Sequence, residues 1–319
     1  MVITGASSGI GRAAACLFAR EGSKLILAAR GESDLREVAQ QCGRLGAEAL
    51  AVPTDVRSEE EVQALATAAA GRFGGIDVWV NNAGVMAYGR FLDIPPDVFR
   101  AVIETNFIGQ VHGARSALPH FLEQRSGVLI NMSSVWGRVT APDVSAYVAS
   151  KFAVRALSES LRQELRFFPD VNVATMLPQA VDTPIFARAA HYAGRTPRPI
   201  PPLVDPQVVA RGILLCAQKP KREVTYSRLG RGLEMAQALL PTLWSRLLPP
   251  SFEAGNYSEQ AAAPGPGRVL EPRAALHDVY GGWKRERRGE LRRALLAAVA
   301  GSARGLLPAA RQPGRRPSP

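Results

Sequence analysis

Tyr147 and Lys151 stand four residues apart in SAYVASK, 13 residues after Ser134. In a helix this spacing puts both side chains on one face, one turn apart. An unperturbed phenol titrates at about 10, too high for efficient proton exchange near neutrality, and an adjacent ammonium favours the phenolate. Tyr147 is therefore expected to be a general acid/base whose pKa Lys151 lowers. Ser134 follows residues 128–132, a buried-type strand, so it falls at a strand's C-terminal end, where open α/β sheets bind ligands. A hydroxyl there reaches a carbonyl, and with Tyr147 it can stabilise the negative charge that reduction develops on oxygen. Ser133 is the adjacent competitor for that role.

The chain opens with a β-branched run, then Gly5-Ala6-Ser7-Ser8-Gly9-Ile10-Gly11, then a helix-forming run from Arg12. Strand, glycine turn and helix in that order let backbone N–H groups and the positive end of a helix face a pyrophosphate. The next strand ends at Ala29-Arg30, about 20 residues on, where dinucleotide folds contact the adenosine ribose. No carboxylate stands there to bind a 2′-hydroxyl, and Arg30 can pair with a 2′-phosphate. The pattern points to NADP(H) rather than NAD(H).

The elements that must position these residues alternate. Strands are expected at 1–4, 24–29, 48–53, 77–81, 127–132, 171–177 and 222–227. Helices are expected at 9–21, 32–45, 58–72, 96–123, 144–167 and 206–218, with a Ser58/Glu61 capping box. That alternation is α/β, a Rossmann-type doubly wound parallel sheet of about seven strands. One catalytic domain is expected at 1–228. It is followed by an apolar helical extension at 229–250, interrupted by Pro241, and a basic Pro/Gly/Arg-rich tail at 251–319. Within the tail, 251–267 and 312–319 read as disordered and 289–310 as a possible arginine-bearing helix. Residues 183–202 resemble a lid over substrate.

With those motifs in order, residues 1–227 resemble the short-chain dehydrogenase/reductase family. The matches are TGASSGIG at 4–11, Asp55-Val56, NNAG at 81–84, Asn106, Ser134, Tyr147 and Lys151. The resemblance implies a catalytic set of Asn106, Ser134, Tyr147 and Lys151, with Asn106 positioning a water in a proton relay through Lys151. The S-x-x-G spacing from Ser134 to Gly137 favours Ser134 over Ser133. Cofactor contacts are implied for Gly5, Ser7, Ser8, Gly9, Ile10, Gly11, Arg30, Asp55, Val56, Asn82, Ala83, Gly84, Tyr147, Lys151, Pro178, Val181 and Thr183. Asp55 and Val56 would hold the adenine. A dimer or tetramer packed through the helices at 96–123 and 144–167 is also implied. Two departures stand out: Pro178-Gln179 replaces the usual Pro-Gly, and the first strand is short, so that either it is clipped or the start codon is assigned late.

The implied activity is hydride transfer between a nicotinamide and a carbonyl or secondary alcohol. Met86, Trp136, Phe186 and Tyr192 near the cleft suggest a largely apolar substrate. The competing reading is a non-catalytic NADP(H)-binding scaffold whose basic tail recruits a membrane surface or partner; the complete tetrad argues against it. About half of the +11 net charge falls at 251–319, where 12 Lys/Arg face 6 Asp/Glu. The possible helix at 289–310 is short and lacks aromatics for base stacking, so nucleic acid is not expected. Cys16, Cys42 and Cys216 form no C-x-x-C pair and the four histidines no ligand cluster, which fits a reducing, cytoplasmic setting and no metal.

Overall fold

The faces of the sheet are decided by period-two alternation in its short strands. The computed structural model describes residues 1–226, 229–271 and 278–285; the stretches 289–310 and 312–319 lie outside the described residues. The first half comprises β1 (Val2–Thr4), α1 (Gly9–Arg20), β2 (Leu25–Ala29), α2 (Glu32–Arg44), β3 (Ala49–Pro53), α3 (Glu59–Phe73) and β4 (Val78–Asn81). It continues through β5 (Ala87–Tyr88), α4 (Pro96–Ile103), α5 (Gly109–Gln124), β6 (Gly127–Met132), α6 (Ser145–Glu164) and β7 (Val171–Leu177). The rest is β8 (Ala190–His191), β9 (Arg195–Pro197), α7 (Pro206–Gln218), β10 (Glu223–Thr225), α8 (Leu229–Leu239), α9 (Pro241–Asn256) and β11 (Tyr257–Ala261).

Seven strands pair in the order β10-β7-β6-β4-β1-β2-β3, all parallel. Ile3, Leu25, Leu27, Val80 and Ile130 point to one face, where α1, α2 and α7 pack Ala14, Phe18, Val38 and Ile213 onto them. Val2, Ile26, Trp79 and Leu129 point to the other, under Val62 and Leu65 of α3 and Ala117 and Phe121 of α5. Burial of both faces explains why the strands read as continuous apolar runs. The order reverses at β1, which lies between β2 and β4, and the crevice of such a fold opens at the strand ends beside that switch.

Local structure departs from the sequence reading in three places. Ser58 accepts the Glu61 N–H at 3.1 Å, but the Glu61 carboxylate reaches the Asp55 N–H at 2.7 Å, so only half of the capping box forms. The helix expected at 96–123 is interrupted by a π turn, Glu104–Ile108, that carries Asn106; π bulges of this kind gather at functional sites. The stretch 251–267 is not irregular throughout. β11 pairs antiparallel with β9, and Gly265 exchanges both backbone bonds with His191 at 2.9 and 3.0 Å. Its anchors are apolar, since Phe252, Tyr257 and Val269 are all buried.

The apolar pattern at 229–250 forms α8 and α9, broken at Pro241 as the residue types suggest. Glu223 of β10 and Glu234 of α8 both pair with Arg138 and with Arg155 of α6, the latter at 2.8 and 3.0 Å respectively. Among the described residues no helix is long and apolar enough to cross a membrane.

Gly113 permits α5 to lie directly on β4. A Cβ at this position would stand 2.0 Å from the Asn81 Oδ1 and 2.7 Å from the Trp79 Nε1. Gly113→Ala is expected to cost about 1–3 kcal/mol, the usual penalty of overpacking, read as a lower midpoint in urea unfolding.

Candidate active site

The loops after β1 and β4 meet at the switch point and are tied to one another through side chains. Thr4 Oγ1 accepts the N–H groups of Asn82 and Ala83 at 3.0 and 3.2 Å, and Asn82 Nδ2 donates to the Thr4 and Gly5 carbonyls at 2.9 and 3.1 Å. Gly5 adopts φ +65°, and a Cβ there would sit 2.8 Å from the Ala83 Cα, so this close approach requires glycine. No side chain caps α1. Its leading turn, Ser7 to Ile10, borders a cavity of about 270 Å³ that runs to Tyr147. A glycine turn opening a helix of this length is an anion-binding arrangement, and the residues present fit a dinucleotide.

The cavity walls include the predicted Gly5, Ser7, Ser8, Gly9, Ile10, Arg30, Asp55 and Val56 at one end. Asn82, Ala83 and Gly84, then Ser134, Tyr147 and Lys151, and finally Pro178, Val181 and Thr183 continue them. Gly11 and Asn106 do not line it. A Cβ on Gly11 would stand 2.2 Å from the Gly5 carbonyl oxygen, so this glycine packs α1 against the turn. Asn106 is fully buried: Oδ1 accepts from the Val85 N–H at 2.8 Å, and Nδ2 donates to the Val85 carbonyl and Ser150 Oγ at 3.0 and 3.1 Å. Its side chain thereby fixes the chain leaving the NNAG loop. Tyr192 packs with Ile94 and Val98 outside the cavity, whereas Met86, Trp136 and Phe186 do line it.

Asp55 is engaged by Arg57, whose Nε and Nη2 donate to Oδ2 at 2.9 and 2.6 Å. Burial alone would push this carboxyl up, but the Arg57 bonds outweigh it and hold the pKa below the ordinary value. Arg30 gives its guanidinium to the carbonyls of Arg268, Leu270 and Val269 at 3.0, 3.3 and 3.5 Å.

Lys151 is buried, and its Nζ donates to the Met132 carbonyl at 2.8 Å while standing 5.4 Å from the Tyr147 ring centre. Removal from water pushes the amine down to about 7. The same desolvation raises the Tyr147 phenol to about 12, against the opposing pull of the Ser134 hydroxyl. The lowered tyrosine value expected from helix spacing is therefore not what this site holds, because burial acts on both groups more strongly than they act on each other. The two serines separate cleanly. Ser133 Oγ donates to the Lys151 carbonyl at 2.8 Å, whereas Ser134 faces Tyr147 and accepts the Trp136 N–H at 3.2 Å.

Residues 1–192 match the family model described as short chain dehydrogenase. The chain belongs to the short-chain dehydrogenase family. A relative from Bacillus subtilis, the uncharacterized oxidoreductase YxnA, is 34% identical over 293 residues, covering 90% of this chain and 82% of its own. Among solved structures, a metagenomic short-chain oxidoreductase in complex with NADP superposes with TM-score 0.60 at 29% identity, over 70% of this chain and 94% of its own. An alcohol dehydrogenase from the archaeon Thermococcus sibiricus, complexed with 5-hydroxy-NADP, gives 0.61 at 30%, over 71% and 97%. The protein is thus a dehydrogenase/reductase with a nicotinamide cofactor.

Gln179, in place of the family's glycine, donates its Nε2 to the Pro202 carbonyl at 2.8 Å, and its backbone is not in the left-handed region. The loop therefore has no conformational need for glycine. Sequence reading missed Arg188, Ile200, Asn256 and Arg268, which also line the cavity. All but Arg188 lie beyond the matched residues, and no spacing relates them to the catalytic motifs.

The unfolded lysine titrates at its ordinary 10.5 and the folded one at about 7. Between those values the unfolded chain binds the extra proton, so Lys151's contribution to stability rises as pH rises through that window. Lys151→Met leaves the Met132 carbonyl bonded to Gln110 Nε2 at 3.0 Å. The variant's Tm is expected to exceed the wild type's by several degrees at pH 7 and below, with the gap closing towards pH 10.5 in differential scanning fluorimetry.

Proposed function

We propose that the protein is an NADP(H)-dependent reductase or dehydrogenase that interconverts a carbonyl and a secondary alcohol on a largely apolar substrate. The observation that carries this reading is the meeting of Ser134, Tyr147 and Lys151 on one cavity with the glycine-rich turn. NADP(H), when bound, supplies or accepts the hydride. The turn at Gly5 to Ile10 and the loop at Asn82 to Gly84 would hold it, with Pro178, Val181 and Thr183 closing the opposite wall.

The remaining chemistry belongs to this chain. Ser134 Oγ and Tyr147 face the cavity together and hydrogen-bond the substrate oxygen, orienting the carbonyl carbon and stabilising charge that grows on the oxygen. Tyr147, protonated at physiological pH because its pKa is about 12, delivers the proton in the reductive direction. Lys151, with a pKa near 7, gains and loses a proton over the working range and can restore one to the phenol. Asn106 holds the Val85 backbone beside the amine, so its role is to keep the loop after β4 in place.

The walls support the substrate class. Met86, Trp136, Phe186 and Ile200 line the same cavity as Tyr147, and Phe252 stacks edge-on against Trp136 at 5.8 Å. Such a lining desolvates the reacting centre and favours aryl or alkyl ketones, aldehydes and their alcohols. Phe152 on α6 stays exposed, which supports a homo-oligomer packed through that helix.

A panel of apolar ketones and secondary alcohols, followed by NADPH absorbance, tests the reading. Turnover is expected with NADPH, and Tyr147→Phe is expected to lower kcat by at least 100-fold, the usual reach of general acid catalysis, while NADPH binding by fluorescence stays within about twofold. Turnover unchanged by this substitution would remove Tyr147 from the mechanism.

A further inference from the structure

Beyond the catalytic end, the cavity's ribose-side wall carries an excess of positive charge. Arg30 at the end of β2, Arg188 before β8 and Arg268 after β11 all line it. Among the described residues, the carboxylates on the lining are Asp34 and Asp55. Asp55 is bound by Arg57 and also acts on Arg30, while Asp34 acts on Arg188.

Arg188 is placed as a ligand-binding group. Its Nη1 donates to Ser8 Oγ on the glycine-rich turn at 2.8 Å, while Nε and Nη2 are buried and meet no acceptor among the described residues. Buried guanidinium N–H groups without acceptors are costly. Removal from water and the repulsion of Arg268 bring this guanidinium down to about 10. An anion seated between Arg188 and Arg268 would satisfy those donors and remove the repulsion.

The segment that brings Arg268 here is held closely to the core. The Arg268 N–H donates to the Arg188 carbonyl at 3.0 Å, and the Arg268 carbonyl accepts from Arg30 Nη2 at 3.0 Å. Gly267, at φ +55°, lies so near the Arg188 and Ala189 carbonyls that a Cβ would stand 2.4 and 2.5 Å from their oxygens. Further along, the Asp278 carbonyl accepts the Gly9 N–H at 3.1 Å. The strap that follows β11 as far as residue 271 therefore borders the cavity through Arg268, and Asp278 bonds the glycine-rich turn.

We infer that the C-terminal strap is part of the cofactor site, and that Arg268 and Arg188 join Arg30 in binding the 2′-phosphate of NADP(H). This rests on the NADP(H) reading above and deepens it. A dianionic phosphate suits a wall on which Arg30, Arg188 and Arg268 outnumber Asp34 and Asp55, and 2′-phosphate is the group that sets NADP(H) apart from NAD(H) at this end of a dinucleotide fold.

The test is fluorescence titration of the full-length protein with NADPH and with NADH, on the wild type, Arg188→Ala, Arg268→Ala and Arg268→Lys. Each alanine variant is expected to weaken NADPH at least tenfold and NADH less than twofold. Arg268→Lys, which keeps the charge and the backbone bonds, is expected to restore much of the NADPH affinity. Equal losses for both dinucleotides would make the strap a mere structural wall and overturn the inference. So would alanine variants that bind NADPH like the wild type; if the wild type still prefers NADPH, the cofactor reading survives alone. A wild type that binds NADH as tightly as NADPH would overturn both. An alanine variant that fails to fold while the lysine variant folds and binds NADPH no better than NADH also counts against it.

Discussion

A lysine amine buried without any carboxylate partner among the described residues is the costly feature around which this structure is arranged. Lys151 is held by the carbonyl of Met132 and stands beneath the Tyr147 ring. Desolvating an ammonium is expensive, and the site meets that cost by letting the amine titrate near neutrality rather than by pairing it. An amine of that kind exchanges protons at working pH. The phenol beside it, pushed in the opposite direction by the same burial, stays protonated until a partner draws the proton away. The pair is thus built from one cause acting on an acid and a base with opposite sign.

Everything else places this pair beside a dinucleotide cleft. β6 delivers the Met132 carbonyl and Ser134 in one run, while the helix on the neighbouring face supplies Tyr147 and Lys151 one turn apart. The strand order reverses at β1, so the glycine turn and the NNAG loop open towards the same crevice. Thr4, Asn82 and Asn106 then lock those loops through bonds to backbone atoms rather than to one another's side chains. Such bonds fix geometry independently of what a substrate looks like, which suits a scaffold that hosts many substrates.

Much of this was legible in the residues. The seven strands follow from alternation and from turn residues between them, and the 13-residue interval from Ser134 to Tyr147 spans a strand end and a helix start, as it must. What could not be read was burial at a specific atom. Helix spacing shows that Lys151 neighbours Tyr147 but not that both lose water, so the direction of the tyrosine shift was misread. Arg30 was recognisable as a cation at the ribose end, yet its partners lie about 240 residues further along. The strap misleads for a related reason: its Pro/Gly-rich average resembles an irregular tail, whereas a few apolar anchors, Tyr257 and Val269 among them, and a set of backbone bonds hold it down.

The account stands on Tyr147 being a phenol that burial keeps protonated in the free protein and that the charge of a bound oxidised cofactor makes acidic. Ultraviolet difference titration of the tyrosinate band, comparing wild type with Tyr147→Phe, isolates that single group with and without saturating NADP⁺. The account predicts ionisation near 12 in the protein alone and a clear downward shift once the oxidised, positively charged nicotinamide is bound. A Tyr147 band that titrates at the same pH in both conditions would contradict it.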